Sequence, residues 1–123
     1  MADRTVMVVE DDAVIREMVL QVLASEGFTA VGAGNGEEAL RQLRTDHLQP
    51  ALILLDLVMP VMNGWQFRTE QLRDPELAAI PVVVMSATDD GAVRAEDRVP
   101  KPFDIDQLVE VVTRVARPGH AVH

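Results

Sequence analysis

The chain has no cysteine, only one lysine, and no apolar run long enough to cross a bilayer. Without cysteine there is neither a disulfide framework nor a thiolate metal site, a composition compatible with the cytoplasm. The apolar stretches fall well short of the roughly 20 residues that a membrane helix needs, and none reads as a leader. Positive charge is scarce too: 11 Lys and Arg stand against 20 Asp and Glu, for a net charge of −9. This balance argues against direct nucleic-acid binding, whose footprint is a basic face. It favours a cation, or a partner with a basic surface. Ten of the eleven basic residues are arginine, which leaves Lys101 as the one ammonium side chain.

What is present describes one domain. A chain of 123 residues, 48% hydrophobic and 25% charged, can bury a substantial core. Four short segments read as strands, TVMVVE (5–10), FTAVGA (28–33), ALILLD (51–56) and AIPVVVMSA (79–87), and a fifth strand is counted where the chain leads into VPKPF (99–103). Between the first two, Ile15, Met18, Val19, Val22 and Leu23 recur at helical spacing within 12–27, and Gly27 supplies a stop. Asn35 with Glu38 has the form of a capping box and opens a helix to about His47. After Asn63-Gly64, WQFRTEQLRD is weakly helical. Asp104 caps a last helix that carries Leu108, Val111, Val112 and Val115 on one face. Alternating strands and helices predict βαβ units and an α/β fold, with helices wrapping a parallel sheet. The segment TDDGAVRAEDR (88–98) has no clear pattern, and RPGHAVH is expected to fray.

In open parallel sheets, ligands bind beyond the carboxyl ends of the strands. The chemistry-bearing residues fall there: Glu10 and Asp11 after strand one, Asp56 after strand three, Ser86 after strand four, Lys101 after strand five. Asp56 is the only charge in ALILLDLVMP (51–60), where an uncompensated carboxylate would tend to take up a proton. If strands one, three, four and five are neighbours, three carboxylates, a hydroxyl and an ammonium share one pocket. Carboxylates about 4 Å apart repel by a few kcal/mol at an effective dielectric near 20. A dication removes that repulsion, and oxygen-only donors suit Mg²⁺. Each residue also has an ordinary role, and for Asp12 a helix cap is preferred to a metal role. The joint pattern is what points to a site. GAGNGEE (32–38) has the wrong glycine spacing for a dinucleotide loop, and His47, His120 and His123 have no metal spacing. Met59 and Met62 are expected to pack, and Trp65 to anchor a helix face.

Taken in order, VVEDDAVIRE, LLDLVMPVMNGWQF, VVVMSA and KPF resemble the receiver domain of two-component response regulators, in particular single-domain receivers of the chemotaxis type. The likeness runs over about residues 4–117, so residues 1–117 are expected to form the receiver domain and 118–123 a flexible tail. It implies a flavodoxin-like, doubly wound, five-stranded parallel sheet in the order 2-1-3-4-5. It also implies that Asp56 accepts a phosphoryl group from a sensor histidine kinase or a histidine phosphotransfer protein. Asp11 and Asp56 would ligate Mg²⁺ with the backbone carbonyl of Val58, and Glu10 would act through a water. Ser86 and Lys101 would contact the phosphoryl oxygens. The implied role is that of a cytoplasmic signalling phosphoacceptor, not an enzyme, acting on a downstream protein target without nucleic-acid binding or membrane insertion.

Two features depart from that pattern. The usual receiver has an aromatic residue three positions before the lysine; here it is Arg98, and the chain has no tyrosine. Only fourteen residues separate Ser86 from Lys101, which predicts a fourth helix that is shortened, irregular or absent. Switching would then run through Ser86 and Arg98, the latter bridging acids such as Asp89 and Asp90. Val58 and Thr88, each two residues after a site residue, would border the attacking water, and an apolar Val58 predicts slow hydrolysis. A constitutive interaction module that keeps the fold without switching is the competing reading. A Mg²⁺-dependent phosphatase ranks last, because it would want an aspartate where Val58 stands.

Overall fold

Runs of valine, leucine and isoleucine form a five-stranded parallel sheet of β1 (Thr5–Val9), β2 (Thr29–Ala33), β3 (Leu52–Leu55), β4 (Val82–Ser86) and β5 (Asp97–Pro100). This is a computed structural model, and it describes residues 5–88, 91 and 93–116. The strand order is β2-β1-β3-β4-β5, the doubly wound, flavodoxin-like arrangement expected from the sequence. Every residue of the central strands β1, β3 and β4 is buried. Strands covered by helices on both faces should be this continuously apolar.

Side-chain alternation divides the core. Val6, Val8, Leu52, Leu54, Val83 and Met85 face α1 (Ala13–Ser25) and α4 (Ile105–Val115). Met7, Val9, Ile53 and Leu55 face α2 (Gly36–Arg44) and α3 (Gly64–Arg73), where Leu40, Leu43 and Phe67 meet them. Burying one such side chain is worth about 1.5–3 kcal/mol, so a one-residue slip in any central strand would be strongly disfavoured.

Local signals set the helix starts. Asp12 caps α1 by accepting from the backbone N–H of Val14 and Ile15, the role preferred for it above. Asn35 accepts from the N–H of Glu38, and Asp104 from that of Asp106. The full reciprocal capping box lies at Asn63 and Gln66, where the sequence pattern was weakest.

Several boundaries differ from the reading of the sequence. Helix α2 stops at Arg44, three residues short of His47, which turns to a positive φ of 56°. The last strand, Asp97–Pro100, begins inside the unpatterned segment 88–98 and ends within VPKPF, because its register is set by pairing with β4, Val83 opposite Asp97 through Ser86 opposite Pro100. Met18 is more than a third exposed, unlike its helical companions Val19 and Leu23. No helix is found between β4 and β5 among the described residues. Val93 covers that face instead, packing with Leu57 and Val84 against half-buried Trp65 and Ala95. Asp89, Asp90 and the expected tail lie outside the described residues. No helix among the described residues is long and apolar enough to cross a membrane.

Candidate functional site

Parallel register brings the strand ends level. Val9 is opposite Leu55, so Glu10 and Asp56 leave the sheet side by side, and the Asp56 N–H donates to the Val9 carbonyl at 2.9 Å. Ser86 is opposite Pro100, and the Lys101 N–H donates to the Ser86 carbonyl at 3.2 Å. The neighbour relation on which the sequence argument depended is therefore present. Carboxylate oxygens of Glu10, Asp11 and Asp56 all lie within 4.8 Å of one another.

Each group is held by named partners. Lys101 Nζ donates to Asp56 Oδ2 at 3.1 Å and to Glu10 Oε1. The other oxygens accept backbone N–H groups: Asp56 Oδ1 from Leu57 at 2.7 Å, and Glu10 Oε2 from Asp12 at 3.1 Å. Glu10 is 1% exposed, Asp56 is buried, and Asp11 is open to solvent. Burial pushes the Glu10 carboxyl above its ordinary value, against the opposing effect of Lys101. Burial alone would lower the Lys101 ammonium, but Glu10 and Asp56 together raise it. Three carboxylates against one ammonium leave the cluster net negative. Its donors are all hard oxygens, one of them exposed, and that set fits a small dication that keeps part of its water.

The remaining predicted residues fall around this cluster. Ser86 is buried at the end of β4, and its Oγ accepts from the Thr88 N–H at 3.2 Å. Val58 is 57% exposed, and Thr88 is exposed as well. Arg98 donates through a guanidinium nitrogen to the backbone carbonyl of Val93, a contact the sequence did not suggest. Its expected acidic partners, Asp89 and Asp90, are not among the described residues.

Two further residues shape the site. A Cβ at Gly64 would sit 2.4 Å from the Asp56 carbonyl oxygen and 2.7 Å from the Leu57 Cα. Only glycine lets α3 start directly against the backbone that presents Asp56. The signal lies in the spacing of Asp56, Met59, Pro60 and Gly64 within LLDLVMPVMNGWQF. Arg16, which drew no attention in the sequence, donates from a guanidinium nitrogen to the Glu10 carbonyl at 2.7 Å.

Known proteins share this chain's sequence and architecture. The model of the response regulator receiver domain family matches residues 6–113. The chain is 37% identical over 118 residues to the alkaline phosphatase synthesis transcriptional regulatory protein SphR of Synechococcus elongatus, covering 85% of this chain and 45% of that protein. It is 39% identical over 121 residues to the phosphate regulon transcriptional regulatory protein PhoB of Escherichia coli, covering 93% and 52% respectively. The chain thus spans about half the length of these curated relatives. Among solved structures, the response regulator receiver protein from Pseudomonas putida superposes with a TM-score of 0.82 at 33% identity, covering 92% of this chain and 98% of that one. With a family match across nearly its whole length and the acidic cluster at the ends of its parallel strands, the chain belongs to the receiver domain family of two-component response regulators.

Proposed function

We propose that Asp56 is the phosphoacceptor of this receiver, taking a phosphoryl group from a phosphohistidine on a sensor histidine kinase or a histidine phosphotransfer protein. The observation that carries the reading is the meeting of Asp56 with Lys101 Nζ at 3.1 Å, inside a cluster of three carboxylates. Asp56 Oδ2 faces the ammonium, while the Leu57 N–H holds Oδ1 and fixes the rotation of the carboxylate. In the transfer, a carboxylate oxygen attacks phosphorus, the O–P bond forms as the P–N bond breaks, and the imidazole leaves with the bonding pair. Such a reaction needs positioning and charge neutralisation more than covalent machinery. Lys101 would pair with the arriving oxygens, and the Ser86 hydroxyl would contact another. Asp11 and Asp56 would hold Mg²⁺ with the Val58 carbonyl, and Glu10 would act through a water. When bound, the dication supplies positive charge to the transferring oxygens.

The approach to the site suits a protein donor. Val14 is 79% exposed on the first turn of α1, and exposed Met18 lines a shallow depression with Ile15, Lys101, Pro102 and Phe103. An apolar seat next to the acceptor matches a histidine-bearing partner that must dock to deliver its group. Residues 1–117 act as the signalling domain, in the cytoplasm, and pass the state of Asp56 to a downstream protein. Ser86 and Arg98 carry the switch, through the segment between β4 and β5.

Incubation with Mg²⁺ and acetyl phosphate, read by intact mass, tests the reading. The expected result is one added phosphoryl group, absent in Asp56→Asn. No addition, from acetyl phosphate or from a phosphorylated kinase, would overturn it.

A further inference from the structure

Glu10 is held at every polar group that it has. Its N–H donates to the Ala33 carbonyl at 3.0 Å, and its two carboxylate oxygens accept from Lys101 and from the Asp12 N–H. The fourth group, the carbonyl, accepts from Arg16 Nη1 at 2.7 Å. That carbonyl belongs to the peptide joining Glu10 to Asp11. Rotating this peptide would swing the Asp11 carboxylate, which is exposed, out of the cluster. Arg16 is the fourth residue of α1, and its guanidinium reaches back over the turn to the strand end. Its stem is accommodated at Gly32, where a Cβ would meet Arg16 Cδ at 3.1 Å. Its head lies near Gly34, in the connection between β2 and α2.

From this geometry we infer that Arg16 is a positioning residue: it locks the Glu10–Asp11 peptide so that Asp11 faces Asp56 across the cation site. The inference rests on the proposed Mg²⁺ site but adds a residue that touches neither the metal nor the phosphoryl group. It also makes a prediction whose sign separates geometry from charge. Removing a guanidinium beside a cation site should, by Coulomb's law alone, tighten cation binding. Losing the carbonyl clamp should weaken it, as losing a group that orients a ligand does, on the order of tenfold.

Mg²⁺ titrations by calorimetry, with the fluorescence of Trp65 as a second signal, decide between the two. Trp65 is the only tryptophan and packs against Leu57, next to Asp56. Arg16→Met keeps the stem and removes charge and donor together, and it should bind Mg²⁺ about tenfold more weakly than the natural chain. Arg16→Lys keeps charge, stem and one donor, and should recover most of the affinity. Urea unfolding of each variant is measured alongside. A lower unfolding midpoint for Arg16→Met with unchanged or tighter Mg²⁺ binding overturns the inference, and so do equal losses in the two variants. Should Arg16→Met not fold, Arg16→Gln takes its place under the same criteria. If the natural chain binds no Mg²⁺, the proposed site itself fails, an outcome distinct from an unaffected variant.

Discussion

Val58 stands two residues beyond Asp56 with more than half of its surface exposed, and its isopropyl group offers no hydrogen bond at the mouth of the cleft. Hydrolysis of an aspartyl phosphate needs a water held in line with the O–P bond, and an amide at this position would help to hold it. Val58→Asn should therefore shorten the lifetime of the phosphorylated protein, by about three- to tenfold. Intact mass followed over time after removal of the donor measures the decay, and an unchanged rate would sink this account. At this scale the sequence was informative where a residue was conspicuous against its surroundings. Asp56 was the only charge in an apolar run, and Lys101 the only lysine. Arg16 was one arginine among ten, and its importance depends on where a turn aims a carbonyl, which no spacing rule reports.

Gln71 shows the same limit for an element. It lies in the segment with the weakest helical pattern, yet it is fully buried and ties α3 to the connection that leads into β4. Its Nε2 donates to the carbonyls of Leu77 and Ile80 at 3.0 and 3.1 Å, and its Oε1 accepts from Arg68 at 2.8 Å. Gln71→Leu keeps the bulk but removes the donor to the Ile80 carbonyl and leaves the Leu77 carbonyl with the Ile80 N–H alone, so it should destabilise the fold by about 1–3 kcal/mol. Urea unfolding should show a lower midpoint at an unchanged slope. The start of β5 is hidden in the sequence for a related reason: only Val99 among its four residues is buried, and its membership of the sheet comes from pairing with β4. The lack of a helix between β4 and β5 among the described residues, by contrast, was legible from the resemblance, since fourteen residues are fewer than the receiver family's fourth helix and its connections normally need.

A second tie is electrostatic: Arg114 of α4 bonds Asp97 of β5. The Arg114 hydrogen bond, helped by the Arg98 N–H, holds the Asp97 carboxyl below its ordinary value. A carboxyl whose folded pKa lies below the unfolded one binds fewer protons when folded. Its contribution is then fully present above about pH 4 and fades as pH falls through the depressed value. Asp97→Asn should be less stable than the natural chain at pH 7, with the difference closing below about pH 4. Denaturation at several pH values reads this directly, and a difference that persists into strong acid would point to packing instead.

For the whole molecule the acidic cluster matters most, because it joins the ends of β1 and β3 at the centre of the sheet. Three carboxylates and one ammonium meet there, inside a chain whose net charge is already −9. Without a dication this repulsion opposes the fold. A cation that binds only the folded chain stabilises it by mass action, about 2.7 kcal/mol at a concentration one hundred times its dissociation constant. Mg²⁺ should therefore raise the urea midpoint of the natural chain, while added NaCl, which only screens, does less. Asp56→Asn keeps an oxygen for the Leu57 N–H and removes one charge, relieving two repulsions, from Glu10 and Asp11, for the loss of one attraction to Lys101. Pair energies of a few kcal/mol at this range leave a net gain of about 1–4 kcal/mol for the asparagine form without Mg²⁺. The same substitution removes a cation ligand, so its response to Mg²⁺ should largely vanish. Unfolding both proteins with and without Mg²⁺ gives the four midpoints required. If the asparagine form is the less stable without Mg²⁺, the Asp56–Lys101 pair holds the sheet ends together and its negative charge is structural. If it is the more stable and indifferent to Mg²⁺, the fold gives up stability to keep that carboxylate in place for a cation and a phosphoryl group.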